Sequence, residues 1–197
     1  MMVVKSRRRS NNPSSSLRII GGQFRGRRLP FPEQEGLRPT PDRVRETLFN
    51  WLMSRIEGAR CLDLFAGSGA LSFEALSRQA TSVTAVEYHA QVTRTLVQNR
   101  QKLDIEPDRF NIVQDDGIQF LSTFPPHPHD VVFLDPPYST DLLHRAIHAL
   151  QDSPWLNKNA MIYMEFGHPG NAPVLPDCWQ IFRKKRAGTV HYQLIQT

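Results

Sequence analysis

Four short apolar runs, each closing on an acidic residue and most followed by a helix-like segment, constrain the fold of this chain more than any other feature. They are Cys61-Leu62-Asp63-Leu64, Ser82-Val83-Thr84-Ala85-Val86-Glu87, Phe110-Asn111-Ile112-Val113-Gln114 leading into Asp115-Asp116-Gly117, and Val131-Val132-Phe133-Leu134 leading into Asp135. Strands that alternate with helical patterns predict βα units and a parallel sheet. Ligands of open α/β sheets bind outside the carboxyl ends of the strands. Asp63, Glu87, Asp116 and Asp135 are therefore expected in one crevice. Helices are expected over about Pro41–Arg55, Ala70–Arg78, Ala90–Lys102 and Asp141–Leu150, the second with Leu71, Ala75 and Leu76 on its inner face. A fifth strand at Ala160–Glu165 and a hairpin of about Trp179–Lys185 and Val190–Gln196, turned by Ala187-Gly188-Thr189, complete a mixed seven-stranded α/β sheet.

The turns after these strands carry the chemistry. Gly67 and Gly69, spaced by Ser68, let the backbone approach a ligand closely at a helix N-terminus. The dinucleotide fingerprint would need a third glycine, and position 72 is Ser72. Asp63, just before the turn, would repel a phosphate and attract an ammonium group. Glu87 lies 18 positions after Gly69, at the end of the second strand, where a carboxylate binds ribose hydroxyls, a role that spacing and strand position favour over capping the helix that begins near His89. Asp135-Pro136-Pro137-Tyr138 offers two acceptors, the carboxylate and a proline carbonyl, beside an aromatic face. Such a set fits an exocyclic amino group on an unpaired base, with the ring rather than the hydroxyl of Tyr138 doing the stacking. The same tetrapeptide also fits a helix start, with Asp135 as cap and Pro137 in the first turn.

In order and spacing these turns resemble the Rossmann-like S-adenosylmethionine-dependent methyltransferases. The resemblance implies that Asp63, Phe65, Ala66, Gly67, Ser68 and Gly69 hold the methionine part of S-adenosyl-L-methionine. It gives the ribose to Glu87 and the adenine to Asp115 or Asp116 with Gly117. It makes Asp135, Pro136, Pro137 and Tyr138 the catalytic cup for methylation of a base amine, and the last strand of the sheet antiparallel. A narrower likeness lies in Arg18-Ile19-Ile20-Gly21-Gly22-Gln23-Phe24-Arg25-Gly26-Arg27-Arg28-Leu29 and in Leu37-Arg38-Pro39-Thr40-Pro41-Asp42-Arg43-Val44-Arg45-Glu46-Thr47-Leu48-Phe49. These segments are similar to the bacterial RsmD family, and the likeness runs from about Leu17 onward. It implies N2 methylation of a guanine in 16S rRNA (the family position, guanine 966) during small-subunit assembly, by a cytoplasmic monomer that needs no metal. Residues 1–16 and the Pro125–His129 loop carry none of it.

Charge is distributed to match. Residues 1–45 hold 11 Lys+Arg against 3 Asp+Glu, a balance of +8, whereas the remaining 13 basic and 16 acidic residues sum to −3. Segregated cations imply an acidic polymer as partner. The chain reads as a disordered basic arm (1–16), a β-hairpin extension for RNA contact (17–40) and a methyltransferase domain (41–197). Arg18, Arg25, Arg27, Arg28, Arg38 and Arg43 are expected to meet the RNA, and Arg183-Lys184-Lys185-Arg186 is expected on the same rim. The partner is 16S rRNA or a small-subunit assembly particle. No apolar run is long enough to cross a membrane, and the basic start lacks the apolar core of a secretory signal. Cys61 and Cys178 read as buried strand residues, and His127 and His129 as members of a proline loop; none has the partners of a zinc site. Two other enzyme classes and a binding module compete. An adenine-N6 methyltransferase would share the tetrapeptide, a non-catalytic rRNA-binding assembly factor would need only the cations, and a nicotinamide oxidoreductase would need the missing glycine.

Overall fold

Among the described residues, nine strands and five helices follow one another as β1 (Ser15–Arg18), β2 (Arg28–Phe31), α1 (Asp42–Trp51), β3 (Arg60–Asp63), α2 (Ala70–Ser77), β4 (Ser82–Glu87), α3 (Ala90–Lys102), β5 (Phe110–Gln114), α4 (Gly117–Leu121), β6 (His129–Leu134), α5 (Leu142–Leu150), β7 (Leu156–Phe166), β8 (Gln180–Ala187) and β9 (Val190–Gln196). The computed structural model describes residues 15–34, 37, 39–138, 140–167 and 172–197. Seven strands form one sheet in the order β5-β4-β3-β6-β7-β9-β8, and β1 pairs with β2 separately. The first five strands of the sheet are parallel, and β9 runs antiparallel to both its neighbours. Successive side chains of a strand point to opposite faces. Cys61, Val131 and Met161 accordingly enter one core with α1, α2 and the N-terminal strands, while Leu62, Val132 and Ile162 enter a second with α5.

Several local expectations need correction. α1 stops at Trp51, not Arg55, and the chain then turns as far as Gly58, whose φ is 76°. α2 is buried on every side from Ala70 to Ser77, because the N-terminal segment covers the face that would otherwise meet water. α4 was not anticipated. β7 is eleven residues long, and Ala187 belongs to β8, leaving Gly188 and Thr189 to make the turn. His129 opens β6 instead of lying in a loop; its ring stacks on Trp155, and burial lowers its basicity. Cys178 is exposed in a turn, so only Cys61 is buried, with a thiol that burial pushes up and makes inert.

The N-terminal strands share the main core. Leu17, Ile19, Leu29 and Phe31 are buried among residues of α1, α2 and α3. The connection between β1 and β2 is held by Glu74, a fully buried carboxylate of α2. It accepts from Ile20 N (2.8 Å), Gly21 N (2.9 Å) and Arg78 Nε (2.8 Å), and the buried Arg45 guanidinium lies 3.6 Å away. Gly22 has φ 73°, and a Cβ there would fall 1.8 Å from the Ser77 carbonyl oxygen, so only glycine fits this close approach. Asn99 of α3 donates to the Pro30 carbonyl at 2.8 Å. Pairing begins at Ser15, two residues inside the segment read as an arm, and residues 1–14 lie outside the described residues.

Candidate functional site

Asp63 ends β3, Glu87 ends β4, Asp115 and Asp116 follow β5, and Asp135 follows β6, so the parallel sheet brings all five to one end. The turn after β3 takes positive φ at Gly67 (50°) and Gly69 (77°). Glu87 takes the helix-anchoring role expected as the alternative to ribose binding, and a second role that was not expected. Its Oε1 accepts from His89 N at 2.7 Å, anchoring the start of α3, and its Oε2 accepts from Gly67 N at 2.9 Å, fastening the glycine turn. Each oxygen retains a further lone pair for a sugar hydroxyl. Ala66 N donates to the Val86 carbonyl at 2.9 Å, and Ser68 is buried. Leu37 packs on Gly67, and a Cβ at Gly117 would fall 2.8 Å from the Leu64 carbonyl oxygen and 3.0 Å from the Phe65 ring. The floor of the crevice is thus backbone and small residues, which suits a flat ligand lying close to the strand ends.

Asp63 is buried and accepts from the Ser72 hydroxyl at 2.6 Å. Burial pushes its carboxyl up to about 7, against the Ser72 hydrogen bond and with help from the Glu87 charge. A cationic group would reverse that shift. Asp116 caps α4, its Oδ1 accepting from Ile118 N (2.9 Å) and Gln119 N (3.0 Å), while Asp115 Oδ1 accepts from Asp116 N at 2.8 Å. Capping therefore accounts for one oxygen of Asp116.

The Asp135–Tyr138 segment has a partner that sequence reasoning missed. Parallel pairing of β6 with β7 sets Leu134 opposite Met164, which brings Asp135 level with Glu165. Glu165 Oε2 accepts from the Tyr138 hydroxyl at 2.8 Å, and its other oxygen accepts from the Tyr163 hydroxyl. The Tyr138 hydroxyl, set aside as idle, fixes the ring: 42% exposed, it packs on Gly167 and is tethered at its far end. Thr40 donates to Asp135 Oδ2 at 3.1 Å, and the Thr40 carbonyl is held in turn by Arg45 Nε at 3.1 Å. Loss of water and the adjacent Glu165 charge hold the Asp135 carboxyl well above the ordinary range, with Thr40 opposing and Asp63 adding. Burial also raises Glu165, against the two tyrosine hydrogen bonds. Pro136 is buried, and no described donor reaches its carbonyl, whereas the Pro137 carbonyl is taken by the Thr140 hydroxyl at 2.7 Å. A single charged residue closing an otherwise apolar strand was the signal available for Glu165. For Thr40 there was none, since Asp135 is 95 residues away, and for Arg45 nothing in the local pattern tells it from its exposed neighbour Arg43.

Arg18, Arg25, Arg27, Arg28 and Arg43 are exposed, and Arg38 lies outside the described residues. Arg18 pairs with Asp42 at 3.3 Å, and Arg27 donates to the Lys102 carbonyl at 3.3 Å. Arg18 thus lies against α1, whereas Arg27 and Arg28 lie against α3, which packs on β4 and β5. Arg183–Arg186 lies on β8, at the opposite edge, so the two clusters do not share a rim.

A family model described as "Conserved hypothetical protein 95" matches residues 17–196. Ribosomal RNA small subunit methyltransferase D of Escherichia coli (strain K12) is 46% identical over 187 residues, which is 95% of this chain and 93% of that protein. The protein of the same name from Haemophilus influenzae is 45% identical over 186 residues, 94% of this chain and 96% of its own. Among solved structures, yhhF from Escherichia coli superposes with a TM-score of 0.83 at 46% identity, over 92% of this chain and 98% of that one.

Proposed function

The chain belongs to the RsmD family, and from that membership we propose that it methylates the exocyclic N2 of a guanine in 16S rRNA, with S-adenosyl-L-methionine as donor. The observation that carries the choice of a base amine is the pair of acceptors beside Tyr138, Asp135 and the Pro136 carbonyl, one strand away from the glycine turn. The donor, when bound, supplies an already activated sulfonium methyl. The Gly67–Gly69 turn, with Phe65, Ala66 and Ser68, lines the place for its methionine part. Asp63 faces its ammonium, Glu87 its ribose, and Asp115 or Asp116, beside Gly117, its adenine. Thr40 occupies one oxygen of Asp135 and orients the carboxylate, leaving acceptor capacity for an N2 proton. The Pro136 carbonyl takes the second proton, and these bonds draw the nitrogen lone pair out of the ring. Tyr138, held by Glu165, stacks on the base. Methylation leaves one proton to remove, and Asp135, poised above the usual carboxylate range, is a fit acceptor for it. Most of the acceleration comes from positioning and electrostatics.

Incubating the protein with methyl-labelled S-adenosyl-L-methionine and either deproteinised 16S rRNA or small-subunit assembly particles should place label in N2-methylguanosine, as read by nucleoside analysis. Label in N6-methyladenosine would move the target to adenine, and no transfer to either RNA would reject the enzyme.

Activity should also carry a displaced acid limb. Asp135 must be ionised to accept from the amine, so activity falls as pH drops through its raised pKa, above the ordinary carboxylate range. Glu165, Asp63, Tyr138 and Tyr163 are the titratable groups facing it. Glu165→Gln removes the adjacent negative charge, so the limb of kcat/KM should move to lower pH. An unmoved limb would mean that Glu165 does not act on Asp135.

A further inference from the structure

β8 has the sequence Gln180-Ile181-Phe182-Arg183-Lys184-Lys185-Arg186-Ala187, with four consecutive cations and no acid. Among the described residues it pairs only with β9, and all its residues but Ala187 are exposed, on both faces. Among the described residues none of the four cations forms a salt bridge; Arg183 and Arg186 donate to the carbonyls of Phe182 and Gly188. The Arg183 guanidinium lies 4.4 Å over the ring of Phe182, itself exposed.

Position gives these charges meaning. β8 is antiparallel to β9, and β9 to β7, so β8 points the same way as β7. His191 of β9 stands opposite both Phe166, at the end of β7, and Arg186. Arg186 therefore lies at the end of the sheet that holds Asp135, Glu165 and Tyr138. Alternation puts Lys184 and Arg186 on the face of Gln193 and His191, the residues opposite them, and all four line a groove of about 410 Å³ that also reaches Phe166. From β6 to β8 is three strand spacings, roughly 14 Å. Phosphates of nucleotides adjoining a base in the cup come within reach of such a row. Arg27 and Arg28 lie instead against Lys102 of α3, on the β4–β5 side of the sheet.

We propose that β8 is a second RNA-contact surface, on which Lys184 and Arg186 hold phosphates of the unpaired nucleotides next to the target base. The proposal rests on the function proposed for the chain. A competing account is that the cations only guard an edge strand against pairing with other chains.

The test is binding of the full chain to deproteinised 16S rRNA across a KCl series, with S-adenosyl-L-methionine affinity measured in parallel. The doubly substituted Lys184→Ala/Arg186→Ala should flatten the slope of log Kobs against log[KCl] by about 1.4, two single-strand contacts at about 0.7 each, and leave cofactor affinity unchanged. Both side chains are exposed, so the fold is not at risk. An unchanged slope, with Arg25→Ala/Arg27→Ala/Arg28→Ala still flattening its own, overturns the β8 surface and leaves the RNA methyltransferase standing. An unchanged slope with new self-association in sedimentation assigns β8 to edge protection and also overturns it. A wild-type protein that does not bind the RNA in a salt-dependent way overturns both.

Discussion

Asp135→Ala should lower the turnover of methyl transfer by about 10²–10³-fold, the loss seen when one preorganised polar group is removed from a reacting centre. The expectation follows from where the carboxylate stands. Thr40 pins one oxygen at 3.1 Å, and no described basic side chain neutralises the other. Its acceptor strength is therefore available to the base amine as the nitrogen becomes tetrahedral. Cofactor affinity should change little, because the glycine turn and Glu87 belong to other strands. Single-turnover methyl transfer, with calorimetry of S-adenosyl-L-methionine binding, separates the two effects. Full turnover in the variant would refute the mechanism.

Stability should respond most sharply at Glu74, far from the chemistry. Removing one partner of a buried ion pair costs about 3–5 kcal/mol, because the other charge stays buried alone. Glu74→Ala leaves the buried Arg45, whose Nη1 already lacks a hydrogen-bond partner, with the half-exposed Asp42 as its remaining carboxylate, takes the carboxylate from Arg78, and orphans the N–H groups of Ile20 and Gly21. Urea unfolding should show the loss as a lower midpoint. A Glu74→Leu/Arg45→Met double variant should lose less than the single one, since it also removes the fully buried guanidinium and leaves only Arg78, which reaches solvent, without its carboxylate. Equal losses would show that the backbone N–H groups of the β1–β2 connection, not the guanidinium, are what Glu74 chiefly serves.

Much of the sheet was legible because its signals are local. The span Ala90–Lys102 is observed residue for residue, since Val92, Leu96 and Asn99 form one buried stripe at helical spacing. The acidic strand ends and the antiparallel last strand followed from βα alternation and family likeness. α4 escaped because five residues are too few to show a period. α1 was drawn too long because Leu52 and Ile56 continue its apolar spacing after the backbone has left the helix. Glu74 and Glu165 were missed for a different reason. Each lies inside an apolar element, and beside one near partner, Arg78 or Tyr163, it serves groups 54 or 27 residues away that packing or strand register brings in. Charged residues in apolar contexts were where local patterns failed, and they proved to organise both the N-terminal segment and the cup.

The order of strands also fixes an order of events during synthesis. β7 carries Met161, Ile162, Tyr163 and Met164 in the middle of the finished sheet, yet its outer neighbour is β9, which leaves the ribosome only after β8. Until then β7 is a bare, apolar edge of the kind that recruits other chains. β8 emerges first but belongs one place further out, so the nascent protein must hold the slot beside β7 open for a strand not yet made. The Asp135–Glu165 pair sits on β6 and β7, so the cup is framed early and closed late, when Val190–Gln196 zips into the gap.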